Sequence, residues 1–209
     1  MTKINLSVAI ATYNEEHNIK DFLDNLNWVP EIILVDGQST DQTISIAKKY
    51  KNVKIISTTN KPIFHINKQI AIDACTNVWV LQLDADERVS PQLKTEILDI
   101  ISNKDSLDGY WIKRKNYFLG TFLTKGGQYP DLVIRLFRKG RGKLPCLSVH
   151  EQVEIDGRVG ELKNDLYHYA DISFSRYLQR NNRYTSLMAN DFVHKKIPIS
   201  IPSFIKYFF

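Results

Sequence analysis

Cysteine is nearly absent: Cys75 and Cys146 are the only two in 209 residues. Two cysteines make no disulfide framework, and these two lack metal-ligand spacing, so both are expected as packing residues in a reducing compartment. Long hydrophobic runs are missing as well. No stretch approaches the roughly 20 apolar residues of a membrane span. The opening Met1-Thr2-Lys3-Ile4-Asn5-Leu6-Ser7-Val8 has no apolar h-region, so no signal peptide is expected. Internal repeats are not evident. Recognised nucleic-acid motifs are lacking and the basic residues are spread out, so no nucleic-acid partner is expected. What is present is ordinary for a globular chain: 43% hydrophobic and 24% charged residues, with ten Tyr and ten Phe. That supplies a sizeable core for one domain, or one domain plus a small appendage. The net charge of +5 and pI near 9.1 suggest an anionic partner such as nucleotide phosphates or acidic lipid.

The first half alternates strand and helix signals. Leu6 to Ala11 reads as a strand, followed by a helix with Ile19, Phe22, Leu23 and Leu26 on one face. Thr12 and Glu15 have the spacing of a capping box at its start. Glu31 to Val35 is a second strand, ending at Asp36-Gly37, with a helix from Thr40-Asp41 carrying Ile44 and Ala47. Val53 to Ser57 is a third strand, and Ile66, Ile70 and Ala74 mark the next helix. Val78 to Leu83 is a fourth strand, and Ser90-Pro91 opens a helix in cap-then-Pro order. Such β-α units predict a mostly parallel sheet with helices on both faces. Further on, Gly109 to Leu119 and Leu132 to Phe137 look like strands, and a turn at Asp156-Gly157 suggests a hairpin between Val153/Ile155 and Val159. From Ser173 to Phe192 the pattern is an amphipathic helix, with Arg176, Arg180 and Arg183 on one face and an apolar 197–209 tail beyond it.

The fourth strand ends abruptly in Asp84, Asp86 and Glu87. Open α/β sheets place ligand crevices at such carboxyl ends. Two carboxylates one residue apart repel each other and lose hydration. A hard divalent cation holding a diphosphate offsets that cost; a helix-capping loop with solvated acids is the plainer alternative. Two further strand ends would open onto the same crevice: Thr12-Tyr13-Asn14-Glu15 and Asp36-Gly37-Gln38-Ser39-Thr40-Asp41.

These three turns, T-x-N-E, D-x-x-S-x-D and D-x-D in this order, resemble those of the family-2 inverting glycosyltransferases. Trp79 to Arg88, Arg135-Leu136-Phe137-Arg138 and Val149-His150-Glu151 are similar to the bacterial β-1,4-glucosyltransferases of lipopolysaccharide core synthesis, over roughly residues 5 to 190. The resemblance implies a GT-A fold, with 1–172 as catalytic domain and 173–209 as a C-terminal helix and tail. Within the domain, 1–90 is the nucleotide-binding half and 91–172 the acceptor-side half. It implies transfer of a hexose, glucose from UDP-glucose, to a glycan or glycolipid acceptor such as lipopolysaccharide core.

By the same resemblance, Thr12, Glu15 and Asp36 shape the base pocket, with Asp36 as edge acceptor. Lys68 points toward the nucleotide, and Asp84 faces the ribose or a metal water. Asp86 holds Mg2+ or Mn2+, with His150 as a further ligand or an orienter of the pyrophosphate. Inversion needs a carboxylate to accept the acceptor's proton: Glu151 is the first candidate and Asp131 the second. Arg135 is expected to touch phosphate. The basic aromatic C-terminal helix either lies on an anionic membrane or packs as a lid, so the expected location is cytoplasmic, with peripheral contact at the inner face of the cytoplasmic membrane. Two other classes are weighed. A sugar-phosphate nucleotidyltransferase would carry a Gly-rich, basic turn after the first strand, which Thr12 to Glu15 is not; a sugar-nucleotide-binding protein without catalysis would not need Glu151.

Overall fold

The computed structural model describes residues 4–147, 151–171 and 174–194. Its elements run β1 (Leu6–Thr12), α1 (Glu16–Asn25), β2 (Glu31–Asp36), α2 (Thr43–Ala47), β3 (Val53–Ser57), α3 (His65–Ala74), β4 (Trp79–Gln82), β5 (Glu87–Val89) and α4 (Pro91–Ser102), then β6 (Gly109–Phe118), β7 (Thr121–Phe122), β8 (Asp131–Arg138), β9 (Gly142–Lys143), β10 (Glu154–Ile155), β11 (Val159–Asp171) and α5 (Phe174–His194). They form two compact units, Met1–Tyr117 with Thr121–Ala170, and Phe118–Gly120 with Asp171–Phe209.

In the larger unit the sheet order is β3-β2-β1-β4-β8-β6-β11-β5, with β7 on β6. The four strands β3, β2, β1 and β4 are parallel, whereas β8 runs antiparallel to β4 and β6, and β11 antiparallel to β5. The parallel strands read as continuous apolar runs because helices cover both faces. Ile19, Phe22 and Leu23 of α1, Ala47 of α2 and Leu93 and Ile97 of α4 pack on one face. Ala71 and Ile72 of α3 pack on the other, with Val80, Ile134 and Phe137. Cys75 is packed there too: burial pushes its thiol up to about 12 and its Sγ donates to the Ala71 carbonyl.

Several sequence expectations change. The Thr12/Glu15 capping box does not form: the Thr12 hydroxyl donates to Asp36, and α1 has no side-chain cap. The second helix begins at Thr43, because Asp41 accepts bonds from the Thr43 N–H and hydroxyl. By contrast, Ser90 does cap α4, accepting from the Leu93 N–H at 3.2 Å with Pro91 next in line. The Asp156-Gly157 turn exists, with Gly157 at φ +142 and no room for a Cβ against Asp108. It does not close a hairpin, though: β10 pairs with β9, while β11 joins the main sheet. β11 runs from Val159 to Asp171, far past the turn that was to pair Val159 with Val153/Ile155.

In the smaller unit, the Phe118 ring meets Tyr177 edge-on at 5.1 Å and Phe174 stacks on Tyr177 at 6.0 Å. Phe174, Leu178 and Val193 are exposed. The expected arginine face of this helix and the 197–209 tail lie outside the described side chains and residues. No helix among the described residues is long and apolar enough to cross a membrane.

Candidate active site

The site is built where β1, β2 and β4 end side by side. Parallel pairing puts Thr12 opposite Asp36, and Ala9 opposite Gln82 just before the acid turn. At the β1–β2 end, Asp36 is buried and closes its own turn. Its carboxylate accepts the Ser39 N–H at 2.9 Å, the Ser39 hydroxyl at 2.5 Å and the Thr12 hydroxyl at 3.3 Å. Asn14 and Gln38 take left-handed backbone, φ 56 and 66, which Asn tolerates and which lets the two turns face each other. The Asn14 N–H donates to Ser39 Oγ and its Oδ1 accepts the Thr40 N–H. Glu15 accepts from the Asn18 amide at 2.8 Å, while its N–H donates to Thr43 Oγ1. Tyr13, between them, is 46% exposed.

At the β4 end the acids are divided in their partners. Asp84 lies between two buried cations: Lys68 Nζ of α3 is 2.5 Å from Oδ1, and Arg135 Nη2 of β8 is 2.9 Å from Oδ2. Burial alone would raise its pKa; the charges of Lys68 and Arg135 outweigh burial and hold it well below the usual carboxylate range. Glu87 is not a cleft acid. It is fully buried on β5, 2.8 Å from Arg135, and its Oε2 accepts the Asp84 N–H at 2.9 Å. Arg135 also donates to Gln82. Burial works against its charge, but Glu87 and Asp84 raise its pKa. Arg135, expected at phosphate, spends its fork on Gln82, Asp84 and Glu87 beneath the acid turn. Lys68 is likewise engaged with Asp84. Arg138 leans on the Trp79 ring, 4.6 Å from its centroid.

Asp86 has a different neighbour. His168 of β11 places Nε2 3.4 Å from Asp86 Oδ2, and the Tyr169 N–H donates to the Asp86 carbonyl at 2.8 Å. Antiparallel pairing sets His168 directly opposite Glu87. A donor chain fixes which atom of His168 donates to Asn116. Arg114 donates to Asp131 Oδ2 through Nε and Nη2, at 2.9 and 2.7 Å, and the Asn116 amide donates to the same oxygen at 3.2 Å. Asn116 Oδ1 is then an acceptor, 2.6 Å from His168 Nδ1, so Nδ1 carries a proton and Nε2 is the nitrogen turned toward Asp86. Burial would raise the Asp86 pKa, but the bond and charge of His168 bring it below its ordinary value.

An oxygen and a nitrogen 3.4 Å apart suit adjacent positions on a small divalent cation, whose neighbouring ligands stand roughly 3 Å apart in octahedral geometry. Among the described residues no three His, Cys, Asp or Glu side chains could hold a metal by themselves. A cation here would need diphosphate and water oxygens to complete its shell, as Mg2+ ordinarily does. His150 lies outside the described residues.

The two candidate bases also differ. Asp131 is tied to Arg114 and Asn116; burial raises its pKa, but Arg114 and Asn116 more than reverse that, which makes it a weaker proton acceptor. Glu151 is half-buried. Its Oε1 accepts the Leu147 N–H at 2.8 Å, and its Oε2 lies 3.6 Å from Nδ1 of His65 on α3.

His168, Asn116, Arg114 and His65 lie outside the three turn motifs and the Arg135 and Glu151 segments. The only signal for His168 was the alternation Leu166-Tyr167-His168-Tyr169, which has strand period.

Residues 7–153 match the family described as Glycosyl transferase family 2. The lipopolysaccharide core biosynthesis glycosyltransferase LpsC of Rhizobium meliloti is 28% identical over 193 residues, covering 90% of this chain and 72% of that protein. Among solved structures, S. aureus TarS 1-349 superposes with a TM-score of 0.62 at 20% identity, over 80% of this chain and 61% of its own. The mannosyltransferase PcManGT of Pyrobaculum calidifontis, in complex with GDP-Man and Mn2+, gives 0.61 at 15% identity, over 96% and 66%. Both share the GT-A fold with this chain. Glycosyl transferase family 2 is thus the family to which the chain belongs.

Proposed function

We propose that the protein transfers a hexose, with inversion, from a UDP-sugar to a cell-surface glycan of the lipopolysaccharide core type. The observation that carries this reading is the Asp86–His168 pair at the end of β4, beside the Thr12 and Asp36 turns. LpsC is named for lipopolysaccharide core biosynthesis. TarS has been solved with UDP-GlcNAc, a complex that superposes at a TM-score of 0.51 and 26% identity over 58% of this chain and 37% of its own. UDP-glucose is the donor implied by the sequence resemblance.

In this reading Asp36 and Thr12 receive the base, with Glu15 bracing their turn and Tyr13 as an exposed ring beside it. Asp86 and His168 hold a divalent cation, which when bound neutralises the departing diphosphate. Asp84 is not a second ligand. Pinned by Lys68 and Arg135, it presents a fixed edge to the ribose side. Glu151 takes the proton of the acceptor hydroxyl as that oxygen bonds to the anomeric carbon and the carbon–phosphate oxygen bond breaks. Residues 1–90, joined by His168, serve the nucleotide, and the rest of 91–172 the acceptor. The segment 173–209, with Phe174, Leu178 and Val193 exposed on α5, makes a peripheral contact with anionic lipid on the cytoplasmic side.

A thermal-shift screen of UDP-glucose, UDP-GlcNAc and GDP-mannose, each with Mn2+ or with EDTA, tests the reading. The expected result is a rise in Tm for a UDP-hexose that requires Mn2+. Stabilisation by GDP-mannose alone would reassign the donor, and no shift with any of them would count against a nucleotide-sugar site.

A further inference from the structure

We infer that His65 is a positioning residue for the general base: from the first turn of α3 it holds Glu151 while Lys68, one turn on, holds Asp84. The inference rests on the reading of Glu151 as base. His65 and Lys68 are three residues apart and share a helix face. Both are buried, at 4% and 6% exposure. Nδ1 of His65 is 3.6 Å from Glu151 Oε2, and Nζ of Lys68 is 2.5 Å from Asp84 Oδ1. One rigid turn thus touches an acid from the donor side and an acid from the acceptor side, which the chain itself separates by 67 positions.

The turn is well anchored. Ala71 and Ile72 fasten α3 to the sheet, the Asn67 amide donates to the Thr59 carbonyl at 3.1 Å, and Phe64 meets the His65 ring edge-on at 4.4 Å. An aromatic edge contact limits the tilt of the imidazole, so Nδ1 is aimed rather than free to swing. A separation of 3.6 Å is an ion-pair distance, longer than a hydrogen bond. Catalytic contacts of this kind tighten when substrate arrives. What His65 removes is rotation of the carboxylate away from the acceptor oxygen, and misplacement by about 1 Å can cost on the order of a hundredfold in rate.

The test compares His65→Leu, His65→Asn, His65→Gln and Glu151→Gln. The readouts are UDP release from UDP-glucose with Mn2+ and the Kd for UDP with Mn2+. Asn places an amide nitrogen where Nδ1 stands; Gln places it nearer Nε2. Expected are a loss of about tenfold or more in kcat for His65→Leu, an unchanged Kd for UDP, and recovery to within about threefold in His65→Asn but not in His65→Gln. Should His65→Leu fail to fold, the Asn–Gln contrast carries the same information. Glu151→Gln with wild-type turnover would sink the base reading, and the inference with it. Glu151→Gln inactive but His65→Leu unimpaired would overturn the inference alone. So would UDP binding that weakens in step with kcat, or Asn and Gln variants that behave alike, since either marks a merely structural histidine.

Discussion

Replacing Arg135 by Leu would leave buried Glu87 to Arg114, 3.5 Å away, and Asp84 to Lys68. Removing one partner of a buried ion pair costs about 3–5 kcal/mol, so Arg135→Leu is expected to lower the urea midpoint sharply. Asp86→Ala, whose side chain faces His168 at a 25% exposed position, should unfold near the wild-type midpoint while losing Mn2+-dependent UDP binding. Comparing the two variants by denaturation and by UDP titration separates the arginine that braces the acid turn from the acid that serves the ligand. This division could not be read from Asp84-Ala85-Asp86 alone. The repulsion that suggested a cation is offset at Asp84 by Lys68 and Arg135, which arrive from sequence positions whose meeting only the fold decides. A different acid, Glu31, adds a pH response of its own. Glu31 is buried; burial would raise its pKa, but Lys54, Ser7 and Thr76 bring it from 4.5 to about 2. Its contribution is complete above its unfolded pKa and fades as pH falls from about 4.5 to about 2, amounting to on the order of 3 kcal/mol. Guanidinium titrations of wild type and Glu31→Gln should show a stability gap at pH 6 that closes by pH 2; a gap independent of pH would refute this.

At the scale of elements, legibility followed locality. Ser90-Pro91 announces α4 because a cap and an N1 proline act within one turn. Ser90→Ala is expected to cost about 1 kcal/mol, measurable as a lowered chemical-denaturation midpoint with unchanged activity. Thr12 and Glu15 had the same local grammar and a different outcome, because Asp36, delivered by the pairing of β1 with β2, takes the Thr12 hydroxyl. Strand pairing in the second half was legible only in outline. The Asp156-Gly157 turn has hairpin chemistry, yet β10 finds β9 and β11 crosses to β5. Alternation along Leu166-Tyr167-His168-Tyr169 is short and aromatic, and nothing local ties it to an acid turn some eighty positions earlier. The short β5 strand opposite His168 was missed for the same reason.

Across the whole molecule, the β-α order of the first hundred residues was enough to place three turns at neighbouring strand ends, because parallel connections leave little topological freedom. The same order did not reveal the mixed half of the sheet, where β8, β6 and β11 supply Arg135, Arg114, Asn116 and His168. Together these strands convert an exposed acid motif into one pinned carboxylate and one that faces an imidazole. The direct measurement of that conversion is a calorimetric titration of UDP into wild type, Asp86→Ala and His168→Ala, each with Mn2+ and with EDTA. Wild type should bind UDP at least about tenfold more tightly with Mn2+, a coupling of about 1.4 kcal/mol, and both variants should bind equally with and without it. The same Mn2+ dependence in Asp86→Ala, or none in wild type, would contradict a cation held between Asp86 and His168.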